Sequence, residues 1–86
     1  MIASINTLPH FLHEVTMARI ADRENSLMSL AYYIGRADQL YIMLDNHDME
    51  YLENQDPELL DDYYRLTEFI GKARDIEDKR SSEAIS

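Results

Sequence analysis

An apolar repeat at helical spacing runs from Ser26 to Glu53 and dominates the chain. Side chains that recur every three or four residues line one face of an α-helix; here they are Leu27, Leu30, Ala31, Ile34, Ala37, Tyr41 and Leu44. Residues 40–44 are apolar on every side of such a helix. One neighbouring helix cannot cover that surface, so we expect a core or oligomer seam at Leu40, Tyr41, Met43 and Leu44.

Two further helices flank this central one. A shorter N-terminal helix is predicted at about 8–23, after Thr7, which is a suitable N-cap. A third helix is predicted at about 57–79, because Asp56 is a good N-cap and Pro57 suits the first helical position. With only 2 Gly and 2 Pro in 86 residues, the chain lacks the turn-forming residues of a sheet protein. The predicted class is all-α.

Two boundaries stay open at this stage. The apolar pattern lapses over residues 21–26, which predicts a break between two helices. Because this stretch contains no Gly or Pro, one continuous bent helix is the alternative. Asp48 falls where the stripe needs an apolar residue, so the central helix either breaks at 46–48 or projects into solvent. We favour projection, because Tyr51 and Leu52 resume the stripe. Gly35 indicates either a close helix crossing or a tolerated flaw.

These segments predict a small helical bundle built on an antiparallel hairpin of 26–53 and 57–79. The N-terminal helix, or a second copy of the chain, would close the bundle. The 86 residues form one domain, 1–86, with frayed ends at about 1–6 and 81–86. A domain of this size buries a thin core, which makes a homodimer one expectation.

The net charge of −9 is concentrated in one segment. Residues 37–64 hold nine acids and no Lys or Arg, whereas eight acids and eight basic residues balance elsewhere. The absence of cysteine excludes disulfides, and the N-terminus lacks the features of a signal peptide. The longest apolar run, of five residues, is too short to cross a bilayer. We therefore expect a cytoplasmic protein without a membrane segment.

Motifs for metal binding or catalysis are incomplete. His10, His13 and Glu14 do not match the zinc-protease spacing, and Asp45, His47, Asp48 and Glu50 lack the glycine of a calcium loop. The chain has no cysteine nucleophile, no serine flanked by glycines and no phosphate-binding loop. We therefore predict a protein that is not an enzyme and needs neither metal nor cofactor.

The acidic segment also contains tyrosines, a combination that suits binding to basic proteins. Tyrosine supplies rigid contact area, and carboxylates steer the encounter and pair with Lys or Arg. The predicted partner-binding residues are Asp45, Asp48, Glu50, Glu53, Asp61, Asp62 and Tyr64. The expected function is that of an inhibitor or adaptor that binds a basic, nucleic-acid-handling protein, in part by resembling nucleic acid.

Two other functions remain as alternatives. The first is a self-associating subunit of an assembly, joined through residues 40–44. The second is a small dimeric RNA-binding hairpin. Direct nucleic-acid binding is disfavoured, because Lys72, Arg74, Lys79 and Arg80 are interleaved with Asp75, Glu77 and Asp78.

Overall fold

The computed structural model describes the backbone of residues 7–85 and the side chains of residues 7–76. Its elements in chain order are four α-helices: α1 at Thr7–Arg23, α2 at Leu27–Met43, α3 at Asn46–Gln55 and α4 at Pro57–Ile85. This confirms the predicted all-α class for the described part of the chain. The predicted fraying of 1–6 lies outside the described residues. The backbone of α4 stays helical past its predicted end near Lys79.

Helices α1 and α2 form the most extensive contact, and α4 packs against both. Helix α2 runs antiparallel to α4, because Tyr41 stacks on Tyr63 at one end and Leu27 lies near Ala73 at the other. Helix α3 packs on the first part of α4. The buried core comprises Phe11, Val15, Ala18, Ala21, Leu30, Ile34, Ala37, Leu52, Leu59, Leu60, Tyr63, Leu66 and Ile70. The core thus draws side chains from all four helices.

The prediction of one central helix over 26–53 is wrong. Helix α2 ends at Met43, Leu44 adopts an extended backbone, and α3 begins at Asn46. Two carboxylates cause the break: Asp45 accepts the backbone N–H of Asp48, and Asp48 accepts that of Asp45, which forms a capping box. The change of direction lets Leu52 of α3 reach the core, where it is fully buried.

The predicted break between the first two helices is present, and Asn25 makes it. This residue has a φ of 59°, in the left-handed region that Asn tolerates better than most residues. The N–H of Ser26 donates to the Ala21 carbonyl, and the N–H of Asn25 donates to the Asp22 carbonyl. These two bonds define a Schellman motif, which ends a helix and satisfies its last carbonyls.

Gly35 does not mark a close helix crossing. A Cβ atom placed there would meet nothing within 4 Å outside its own helix. Of the two explanations offered by the sequence, a tolerated flaw is the correct one. The close approach of α1 and α2 relies on the buried alanines Ala18, Ala21 and Ala37 instead.

Substitution of Asn25 tests the left-handed turn. Asn25→Val places a β-branched residue at positive φ, and we expect it to lower the free energy of unfolding by about 1–2 kcal/mol. Asn25→Gly removes the Cβ and should leave stability equal or slightly higher. Urea titrations followed by circular dichroism measure both. Equal stability of the two variants would contradict a left-handed backbone conformation at residue 25.

Candidate functional site

The predicted partner-binding residues separate into two groups in the structure. Asp45 and Asp48 cap α3, with their reciprocal bonds at 2.8 Å and 3.3 Å. Asp62 turns toward arginines, lying 2.8 Å from the Arg19 guanidinium and 3.5 Å from that of Arg65. These three carboxylates therefore have structural partners. Their role as partner-binding residues stays a prediction, and the site described next is built from the acids without such partners.

The remaining acids of the prediction are exposed and lie at the junction of α3 and α4. Glu50 and Glu53 are one turn apart on α3, and Asp61 lies on α4. Glu58 lies one turn before Asp61 and is exposed as well, although it is not among the predicted partner-binding residues. We call Glu50, Glu53, Glu58 and Asp61 the acidic corner. Among the described residues, none of its carboxylates takes part in a hydrogen bond or ion pair that satisfies its charge.

Helical spacing was the signal that could have identified Glu58. Glu58 and Asp61 are separated by three residues, as are Glu50 and Glu53, so each pair shares a helix face. Asp62 follows Asp61 directly and therefore projects elsewhere on α4. The position of Arg19 opposite Asp62 is a tertiary contact that no local pattern indicates.

Tyr64 connects α4 to α2 next to the acidic corner. Its hydroxyl lies 2.8 Å from the Tyr41 hydroxyl, and its side chain is 45% exposed. The hydrogen bond with Tyr41 raises the pKa of Tyr64 to about 12, and burial and the charges of Glu53 and Asp61 add to the rise. The charges of Glu53 and Asp61 both act on this hydroxyl, so the two carboxylates lie near the same tyrosine.

Behind Tyr64 lies an aromatic cluster that joins three helices. The ring centroids of Tyr41 and Tyr63 are 5.0 Å apart in a stacked arrangement, and Phe11 meets Tyr63 edge-on at 5.1 Å. Tyr64 completes the cluster at 5.6 Å from Tyr63. Aromatic pairs of this geometry add about 0.5–1.5 kcal/mol beyond the area they bury. The cluster therefore fixes α1, α2 and α4 relative to one another beneath the acidic corner.

The buried hydroxyl of Tyr63 has its own acceptor. It donates to the Asp38 carboxylate over 2.6 Å. Burial raises the pKa of Tyr63 far above its usual value near 10, and the bond to Asp38 raises it further. Asp38, one of the nine acids of the segment 37–64, is half-buried and has an intramolecular donor in Tyr63.

Residues of the predicted seam lie mostly against the core. Leu40, Tyr41 and Leu44 are half-buried and pack on it, whereas Met43 is 52% exposed. The adjacent Ile42 is 81% exposed. Three of the four seam residues therefore serve intramolecular packing, because the ending of α2 at Met43 turns Leu44 inward.

An ion pair between a buried carboxylate of α1 and an exposed guanidinium of α2 joins these two helices. Glu14 is only 5% exposed, and its Oε1 atom lies 3.2 Å from Nε of Arg36. The two residues border a cleft of about 200 Å³ together with His10. Arg36 balances the buried charge, and its pKa is raised by the hydrogen bond to Glu14. Among the described residues, His, Asp and Glu side chains form no group of three that a metal ion would need.

Comparisons of this chain with protein-family models, with characterised proteins and with solved structures gave no match. No helix in the described part of the chain combines the length and hydropathy required to cross a membrane. What this surface binds is therefore inferred from its own geometry.

Two substitutions of Asp45 distinguish a capping role from a binding role. Asp45→Ala removes the cap of α3, and we expect a loss of about 1 kcal/mol in unfolding free energy. Asp45→Asn removes the charge but keeps the acceptor oxygen, so stability should stay within a few tenths of a kcal/mol. Thermal unfolding followed by circular dichroism measures both. If the Asn variant lost as much as the Ala variant, the charge and not the cap would be responsible.

The tyrosine hydroxyls should make stability sensitive to alkaline pH. Folding favours the neutral hydroxyls of Tyr63 and Tyr64, because their pKa values are raised above those of the unfolded chain. Their contribution is complete below about pH 10 and falls as the pH rises toward 12, where the unfolded chain ionises first. We expect Tyr63→Phe to flatten that decline. It should also cost about 1–2 kcal/mol at pH 7, because Asp38 loses its donor.

Tyr51→Phe is the matched control, since Tyr51 is 48% exposed and lies outside the aromatic cluster. Denaturant titrations at several pH values between about 7 and 12 give the two profiles. Identical pH profiles of stability for the Tyr51 and Tyr63 variants would show that Tyr63 does not cause the loss of stability at alkaline pH.

Proposed function

We propose that this protein is a non-enzymatic binding module that attaches to a basic protein surface through the acidic corner. The observation that supports it is that Glu53 of α3 and Asp61 of α4 are both exposed and both lie near enough to the exposed Tyr64 to raise the pKa of its hydroxyl. Glu50 and Glu58 extend this surface by one helical turn on each helix. The corner thus offers four exposed carboxylates on two helices, with one rigid aromatic side chain near two of them.

The chemistry of the acidic corner suits Lys and Arg side chains. Each of its carboxylates can accept charge-assisted hydrogen bonds, which are about twice as strong as neutral ones. Tyr64 offers a ring edge and a hydroxyl at low entropic cost. The net charge of −9 would speed the encounter with a basic partner, and the corner would fix the orientation.

Rigidity distinguishes this surface from a merely solvated one. Tyr64 is held by Tyr41, and the stack behind it joins three helices, so the corner needs little ordering on binding. Spaced carboxylates on such a surface can occupy a groove that otherwise holds phosphates. The partner we propose is therefore a basic, nucleic-acid-handling protein, with this chain acting as its inhibitor or adaptor in the cytoplasm.

Neutralisation of the corner tests the proposal. The variant Glu53→Gln with Asp61→Asn removes two exposed charges that have no structural partner, so its fold should be unchanged. We expect affinity for the partner to fall about tenfold, and most of the remaining binding to be lost at about 0.5 M salt. Affinity capture from source cells followed by quantitative mass spectrometry identifies partners that respond in this way.

The control variant has the same net charge at a different place. Thr16→Lys with Gln39→Lys adds two positive charges at exposed positions of α1 and α2. If binding depends on the acidic corner, affinity for the partner is unchanged in this control and falls only in the variant with Glu53→Gln and Asp61→Asn. A partner that responds equally to both variants would be attracted by overall charge alone, which would refute the proposal.

A further inference from the structure

One carboxylate oxygen of Glu14 is buried without a hydrogen-bond donor. Glu14 is only 5% exposed, and its Oε1 atom pairs with Nε of Arg36 at 3.2 Å. Its second oxygen, Oε2, has no hydrogen-bond partner among the described residues. Leaving a buried acceptor without a donor costs the desolvation of that atom, and most buried polar groups in proteins do have a partner. The pairing with Arg36 therefore satisfies only one half of this carboxylate.

The cleft between α1 and α2 has Glu14 in its wall, and its volume is about 200 Å³. Sites for drug-sized molecules measure about 300–1,000 Å³, so this cleft suits a smaller ligand. Glu14 is its buried lining residue and Leu40 is half-buried. The exposed lining residues are His10, Arg36, Gln39 and Met43. Exposed side chains change rotamer within nanoseconds, so a ligand can reach Oε2 of Glu14 without repacking of the core.

The charges in the cleft favour a ligand that carries both signs. Glu14 and Arg36 balance each other, so a simple cation or anion would add an uncompensated charge to a partly buried site. The Arg36 side chain is 54% exposed, and its guanidinium keeps N–H donors beyond those directed at Glu14 and Tyr32. An ammonium group at Oε2 and a carboxylate at the guanidinium would leave every charge with a partner.

Apolar side chains extend the cleft away from its charged pair. Leu40 lies one helical turn after Arg36 on α2, and Met43 lies one turn further, at the end of the helix. Met43 is 52% exposed, and a methionine side chain is flexible enough to adapt to the shape of a ligand. The cleft therefore offers ionic partners at one end and a small apolar surface at the other.

From this arrangement we infer that the cleft between α1 and α2 binds a small zwitterion with an apolar side chain, the chemistry of a free apolar amino acid. The ammonium group of the ligand donates to Oε2 of Glu14, and its carboxylate accepts from Arg36. Its apolar side chain contacts Leu40 and Met43. The inference does not depend on the proposed function, because the acidic corner belongs to α3 and α4.

Titration of the full chain with L-leucine, followed by heteronuclear NMR of the backbone amides, tests the site. We expect saturable shifts at Glu14, Arg36 and Leu40, with a Kd of about 1 mM or lower. Two analogues of leucine are the matched ligands: isoamylamine lacks the carboxylate, and isocaproate lacks the ammonium group. Each should bind at least about tenfold more weakly, because one member of the Glu14–Arg36 pair then gains no partner.

Met43→Glu should lower the affinity for L-leucine at least about tenfold, because it places a charge at the apolar end of the cleft. Ile42→Glu is the matched control: the charge change is identical, and Ile42 is 81% exposed and not among the described residues that line the cleft. Both positions are exposed, so the helical circular dichroism should not change.

Three results would overturn the inference. The first is the absence of saturable shifts up to about 20 mM L-leucine in the unmodified chain. The second is equal affinity for leucine and either analogue, which would mean that the cleft recognises a single charge. The third is an equal affinity for leucine in the Met43→Glu and Ile42→Glu variants.

Discussion

The contact of three aromatic rings from three helices sets the geometry of this protein. Phe11, Tyr41 and Tyr63 meet at ring distances of 5.0–5.9 Å, which joins α1, α2 and α4. Tyrosine brings a hydroxyl into this packing, and a buried hydroxyl needs a partner. The buried Tyr63 donates its hydroxyl to Asp38, and the hydroxyl of Tyr41 is hydrogen-bonded to that of Tyr64 at the surface. The polar requirements of the core therefore determine which tyrosine and which carboxylates are left at the surface.

The second feature that sets the geometry of the protein is the short break between α2 and α3. A straight continuation of α2 would carry Asp48 and Leu52 beyond the core. The capping box at Asp45 and Asp48 starts a new helix in another direction, and Leu52 becomes buried. The same turn brings Glu53 near enough to Tyr64 for its charge to act on that hydroxyl. Local capping chemistry thus creates the acidic corner, although the capping carboxylates themselves do not belong to it.

The two ends of the molecule have different surface chemistry. One end carries unpaired carboxylates, and the other carries exposed apolar side chains among balanced charges. An 86-residue bundle has a thin core, so apolar residues remain outside it once the helices are packed.

The sequence by itself determined the helical class and the start of α4 at Pro57. It also determined the interruption of the apolar pattern at which the turn at Asn25 forms, and the confinement of net charge to residues 37–64. These properties follow from periodicity, capping residues and composition, which are local. Only the tertiary structure decided that Asp62 pairs with Arg19, that Asp38 binds Tyr63, and that residues 40–44 pack mostly inward. Such contacts join residues distant in the chain, and their partners depend on how the helices cross.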